Sequence, residues 1–119
     1  MELKKTVEQN SYSVKIQALE GGQVMGWAFL VVNTSDRHKE PWGLLENVYV
    51  ELEHRGQGVG KALVLSAIEE AKSRGCYKLI CTSRDSKPEV HTMYEKLGFQ
   101  KWGVEFRMDL AESPSLQRD

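Results

Sequence analysis

The chain has 119 residues, 40% of them hydrophobic and 28% charged, which one domain of the usual size, about 100 to 200 residues, accounts for without a second independent core. Sixteen Lys+Arg against 17 Asp+Glu give a net charge of −1, so neither nucleic acid nor an anionic membrane, which select a broad cationic face, is an expected partner. The cysteines are Cys76 and Cys81 alone, a spacing that fits neither a metal pair nor a secreted disulfide framework, and a reducing, cytoplasmic setting with no metal is expected.

The opening residues Met1 to Lys5 are charged rather than apolar, unlike an export signal, and no run approaches the ~18 to 20 apolar residues of a membrane span. Tyr12, Val14, Ile16 and Ala18 alternate with polar residues, the period of a half-buried strand. The turn Glu20, Gly21, Gly22 leads into a second strand from Gln23 to Val32, and so short a connection makes an antiparallel hairpin. A polar loop is expected from Asn33 to Gly43, and a third strand from Leu44 to about Leu52. After the glycine-rich stretch Arg55 to Lys61, a helix is expected over Lys61 to Arg74, capped by Gly75.

Cys76 to Ser83 reads as a fourth strand, and the intervening helix sets it parallel to the third as a βαβ unit. Pro88 suits the first turn of a second helix whose Val90, Met93, Tyr94 and Leu97 form one apolar stripe closed by Gly98. Phe99 to Trp102 and Val104 to Leu110 read as closing strands, the latter alternating Val104, Phe106, Met108 and Leu110 with Glu105, Arg107 and Asp109. The expected whole is an α/β fold in a single domain over residues 1–110: a mixed, mostly antiparallel sheet of about six strands with a central βαβ unit and two main helices, then a disordered tail over 111–119.

Strand, glycine turn, helix is the arrangement in which backbone amides converge on an anion, so Arg55 to Lys61 is a candidate phosphate cradle, its other reading being a plain turn. It is not a P-loop: Gly56 and Gly60 enclose three residues where four are needed, and Ala62 follows Lys61 where a hydroxyl should bind magnesium. Gly56, Gly58 and Gly60 also miss the G-x-G-x-x-G spacing of dinucleotide folds.

The spacing Arg55, Gly58, Gly60 is R-x-x-G-x-G, and it follows the strand Glu46 to Val50. Downstream, Val90 to Phe99 carries Tyr94 and ends Y-E-K-L-G-F. In that order, with a βαβ unit between, the two motifs resemble the GNAT superfamily of acetyl-CoA-dependent N-acetyltransferases over residues 44 to 110. The resemblance implies a transferase that moves an acetyl group from acetyl-CoA to a primary amine in a ternary complex, with no covalent enzyme intermediate. The amides of Gly56, Gln57, Gly58, Val59 and Gly60, with the charges of Arg55 and Lys61, would hold the pyrophosphate. Val48, Tyr49 and Val50 would line the pantetheine arm where the third and fourth strands splay, and Tyr94 would protonate the departing thiolate. Periodicity alone makes Tyr94 a core residue.

For the base, simple alternation puts Glu46 on one face with Leu44, Val48, Val50 and Leu52, where burial would raise a carboxylate toward neutrality. Its other reading is an ordinary polar position with the face shifted by a bulge. His91 is the rival base; His38 and His54 sit in polar surroundings, and Cys76 and Cys81 are read as structural. Two departures from the family stand out: the opening strands are joined by a short turn where relatives have two helices, and Lys87 occupies the place of a cofactor-contacting Asn. The first strips the acceptor side, so either a second subunit completes it, leaving room for a homodimer, or the Asn33 to Gly43 loop lines it. A non-catalytic acyl-CoA-binding or interaction module is the competing reading.

Overall fold

The computed structural model describes residues 1–111. Four strands form one sheet in the order β1 (Tyr12–Glu20), β2 (Gln23–Ser35), β3 (His38–Val50) and β4 (Leu79–Cys81). β1 and β2, and β2 and β3, pair antiparallel, while β3 and β4 pair parallel across α1 (Val59–Ser73). A second helix, α2 (Pro88–Lys96), follows β4. The mixed sheet, the βαβ unit and both helices are therefore as the residue patterns indicate.

The sheet has four strands rather than about six among the described residues. Phe99 to Trp102 and Val104 to Leu110 lie in no strand, and the apolar side chains of the second segment stand in solvent. Alternation along a segment says which residues share a face; it does not supply a neighbour to pair with. The expected polar loop from Asn33 to Gly43 is instead the tip of a long hairpin, with Ser35 opposite His38 and only Asp36 and Arg37 at the turn. Its residues are polar because this end of the sheet is largely exposed, not because it lacks pairing. Of the expected tail, Ala111 is exposed, and 112–119 lie outside the described residues.

The core is the face on which α1 lies. Ala28, Leu30 and Val32 alternate along β2 to meet Leu45 of β3 and Val59, Leu63, Val64, Ala67 and Ala71 of α1, all buried. The small side chains on α1 let the helix settle onto the sheet, and Gly26 does the same for β2: a Cβ there would lie 2.5 Å from the Tyr49 carbonyl oxygen and 3.3 Å from Leu63 Cδ1. Both helices close with paired capping bonds. Cys76 N–H donates to Ala71 O and Gly75 N–H to Lys72 O at the end of α1; Phe99 N–H donates to Tyr94 O and Gly98 N–H to Glu95 O at the end of α2.

Candidate active site

β3 is thirteen residues long and β4 only three. The two are paired at Gly43–Leu79, Leu44–Ile80 and Leu45–Cys81, so from Glu46 to Val50 the side of β3 that faces away from β2 has no strand against it among the described residues. Tyr49 is paired with Trp27 of β2, and Glu51 N–H donates to Met25 O. By the alternation of an antiparallel ladder, Val48 and Val50 turn their amides and carbonyls to the open side. There the Val50 carbonyl accepts a hydrogen bond of 2.9 Å from Arg55 Nε, with the Val48 groups and the Val50 amide on the same open side.

The same stretch holds the irregularity that decides where Glu46 points. Trp27 is opposite Tyr49 and Phe29 opposite Glu46, so β3 carries one residue more than β2 between these pairs, a bulge. Asn47 takes the extra position at φ 53°, in the left-handed region that Asn tolerates better than most residues. The bulge reverses the alternation. Leu45, Val48 and Val50 turn toward α1, while Glu46 lies exposed with Leu44 on the far side. The expectation that Glu46 shares a face with Val48 and Val50, and is desolvated by it, is thus corrected. Its position still matters, because Glu46 is the first residue beyond the last β3–β4 pair, at the apex of the opening.

From Val50 the chain passes through a single 3₁₀ turn, Leu52–His54, into the glycine loop. Arg55 ties that loop to β3 through Val50 and lies 5.5 Å from the centre of the Tyr49 ring. Gln57 Nε2 donates weakly to Glu53 O at 3.4 Å. Gly58, at φ +83° and with nothing within 4 Å of a Cβ built on it, precedes α1 as its cap. That backbone conformation is one that side chains with a Cβ resist. The first turn of α1 is closed by Ala62 N–H donating to Gly58 O, so the amides of Val59, Gly60 and Lys61 leave the helix with no carbonyl of their own to meet. Open amides at the positive end of a helix dipole, beside Lys61, suit a phosphate. A groove of about 290 Å³ continues from Lys61 along α2, lined by Glu89, Thr92, Met93, Lys96 and Leu97.

Tyr94 packs against the core cluster, with its ring centre 5.4 Å from that of Phe99 in an edge-on contact. Burial, with a smaller contribution from nearby Cys81, pushes its hydroxyl up to about 12. Burial also lifts the Cys81 thiol to about 11. Both therefore keep their protons at neutral pH. Cys81 is the β4 partner in the last β3–β4 pair, so the apex of the opening has Glu46 on one strand and Cys81 on the other, with Tyr94 packed against the same core cluster as Cys81. The sequence reading placed Cys81 as structural and did not bring it to the site; only the short length of β4 reveals it.

The remaining candidates are dispersed. His91 Nε2 donates to the Arg84 carbonyl at 2.8 Å, which occupies one ring nitrogen in holding the turn before α2. His38 stacks on Tyr77, ring centres 4.2 Å apart, at the exposed end of the hairpin. His54 lies 3.7 Å from Glu53 beside the 3₁₀ turn. Lys87 is the N-cap residue of α2 and makes no side-chain cap there. No group of His, Cys, Asp and Glu among the described residues could hold a metal ion, and no helix among them is long and apolar enough to cross a membrane.

Residues 2–99 match the model of the Acetyltransferase (GNAT) family. The chain is 38% identical over 90 residues to a glucosamine 6-phosphate N-acetyltransferase of Trypanosoma brucei brucei, covering 75% of this chain and 59% of that protein. It is 32% identical over 106 residues to the protein of the same name from Schizosaccharomyces pombe, covering 88% of this chain and 93% of that one. Among solved structures it resembles a putative acetyltransferase from Agrobacterium tumefaciens, with a TM-score of 0.75 and 31% identity over 82% of this chain and 68% of that one.

Proposed function

Because the chain belongs to the GNAT acetyltransferase family, we propose that it transfers an acetyl group from acetyl-CoA to a primary amine of a small molecule. The observation that carries this reading is the β3–β4 opening, with main-chain groups of β3 on one wall and unpartnered amides at the start of α1 beyond it. These fit the two ends of an acyl-CoA: amide-bearing pantetheine along Val48, Tyr49 and Val50, and pyrophosphate on Gly56, Gln57, Gly58, Val59, Gly60 and Lys61. Arg55 holds the loop in place and adds positive charge. Binding energy gained at the phosphates, remote from the reacting carbon, fixes the thioester in the opening.

At the apex the groups divide the work. Tyr94 donates a hydrogen bond to the sulfur as it leaves; a hydroxyl held at about 12 retains its proton until the thiolate develops. Cys81, held at about 11, stays a thiol rather than a nucleophile, which favours direct attack of the amine on the thioester. Glu46, exposed at the apex, accepts a proton from the incoming ammonium, directly or through water, by position rather than by burial. Glucosamine 6-phosphate, named for the two relatives above, is the first acceptor to try. The reading is tested by incubating the chain with acetyl-CoA and a panel of amines that includes it, following free thiol. Turnover on a small amine supports the reading; acetyl-CoA binding without turnover on any amine makes the chain a non-catalytic acyl-CoA-binding module instead.

A further inference from the structure

A second cavity lies at the other end of β3, where the β2–β3 hairpin turns, and the acetyl-transfer reading makes no use of it. It measures about 600 Å³, within the usual range of small-molecule pockets, and is lined by Ser35, Arg37, His38, Trp42, Tyr77 and Lys78. Its walls are tied together. Tyr77 N–H donates to Pro41 O and Gly43 N–H to Lys78 O, both at 2.9 Å, which holds the segment leading into β4 against β3. Ser35 is paired with His38 across the hairpin, and its Oγ accepts the Arg37 N–H at 3.1 Å, so the turn that carries Arg37 is fixed as well. No carboxylate lines the cavity, although Asp36 and Glu40 are close in sequence. Neither Arg37 nor Lys78 makes an ion pair among the described residues.

Lys78 is held by rings instead. Its ammonium lies 5.3 Å from the centre of the Tyr77 ring and 5.7 Å from that of Trp42, and His38 stacks on Tyr77 with ring centres 4.2 Å apart. Rings steady a cation without neutralising it, so its charge remains for a ligand. Arg37, Lys78 and the Trp42 indole N–H can only donate, and Ser35, His38 and Tyr77 can donate as well. A chain whose net charge is −1 gathers cations, donors and flat rings around one cavity. We infer that this cavity binds a phosphomonoester of an aromatic or heteroaromatic ring, with the phosphate on Arg37 and Lys78 and the ring on Trp42 and Tyr77. A carboxylate would use these groups less fully: a phosphomonoester brings close to two charges and three acceptor oxygens at neutral pH, enough for both cations and the hydroxyl donors. The cavity is separate from the apex of the β3–β4 opening. Trp42 precedes Glu46 by four residues, about 13 Å along a strand, beyond the reach of a single phosphorylated ring. This inference is independent of the acetyl-transfer reading.

The test is a titration of the isotope-labelled full chain with phenyl phosphate, read from backbone amide shifts, with inorganic phosphate and phenol as half-ligands. Phenyl phosphate should shift the amides of residues 35–38, 42–43 and 77–78 saturably, with a dissociation constant of about 1 mM or below. Each half-ligand should bind there at least about 10-fold more weakly, because it makes only the charged or only the ring contacts. Arg37→Gln combined with Lys78→Gln, both at exposed positions, should weaken phenyl phosphate by about 10-fold or more, as loss of charged hydrogen bonds does, with an unchanged circular dichroism spectrum. The glycine loop, itself read as a phosphate cradle, is told apart by its own amides, residues 56–61, so success or failure at either site is seen separately. No saturable shift around the hairpin up to about 10 mM, shifts confined to residues 56–61, equal affinity for either half-ligand, or a double variant that binds like the wild type each overturns the proposal.

Discussion

Tyr12–Glu20 and Val104 to Leu110 carry the same alternation of apolar and polar residues, yet one is a strand and the other stands in water. The difference lies in what surrounds them in the chain. β1 is followed at once by Gly21 and Gly22, and its partner β2 is in place two residues later; its apolar face then meets α1 through β2's neighbourhood. The terminal segment follows a helix and has no later described strand to fold against. The end proposed to hold the cofactor behaves like β1: β3, the glycine loop and α1 are consecutive, and Arg55 and Gln57 bond to Val50 and Glu53, close in sequence. On the proposed reading, local connection lets one chain supply the acyl-CoA half of the site.

If the acyl-CoA half is complete, chemistry should depend sharply on Tyr94. Tyr94→Phe keeps the ring that packs on Phe99 and removes only the hydroxyl, so acetyl-CoA affinity and melting temperature should hold while turnover falls by roughly 10²- to 10⁴-fold, the usual range for a lost general acid. Unchanged turnover, with the chemical step shown to limit the rate, would return Tyr94 to a packing role. Within the loop, Gly58→Val disfavours the left-handed conformation by about 1–2 kcal/mol, so the free loop relaxes out of it and CoA binding, which has to restore it, should weaken by about 5- to 30-fold. Gly60→Ala is the sharper comparison. Its Cβ would sit 3.6 Å from Val50 Cγ2, an ordinary contact, so any loss of CoA affinity without loss of stability reports closeness to the ligand rather than strain.

The packing of β2 against β3 should be similarly unforgiving. Gly26→Ala sets a methyl against the Tyr49 carbonyl, an overpacking that costs about 1–3 kcal/mol, readable as a lower urea midpoint. The smallest effect is on pH. The folded thiol of Cys81 and hydroxyl of Tyr94 lie above their ordinary values of 9.0 and 10.0, so the unfolded chain loses these protons first as pH rises. Stability from this source is intact below pH 9.0 and declines up to about 11 for Cys81, and between 10.0 and about 12 for Tyr94. Urea melts from pH 8 to 11 should show the decline, and Cys81→Ala should flatten its lower part.

Much of this was legible in the sequence because it depends on neighbours. The two-glycine turn, the loop before α1 and the Gly75 and Gly98 stops are read from a few adjacent residues, and all stand where they were expected. Glu46 shows where such reading ends. One extra residue at Asn47 inverts every side chain before it relative to those after it, and a polar Asn within a strand was the only sign. The extended hairpin around Asp36 and Arg37 was hidden for the opposite reason, since an exposed strand needs no apolar alternation. The length of β4, which creates the opening, has no signature in Cys76 to Ser83.

The most direct test of the account is calorimetric titration of acetyl-CoA into the wild-type chain and into Gly58→Val, without added metal. The account predicts saturable binding of one acetyl-CoA per chain, weakened about 5- to 30-fold by the substitution, with both proteins folded. Absence of binding to the wild type, or equal affinity in the two, would contradict the assignment of Arg55 to Lys61 as the cofactor cradle.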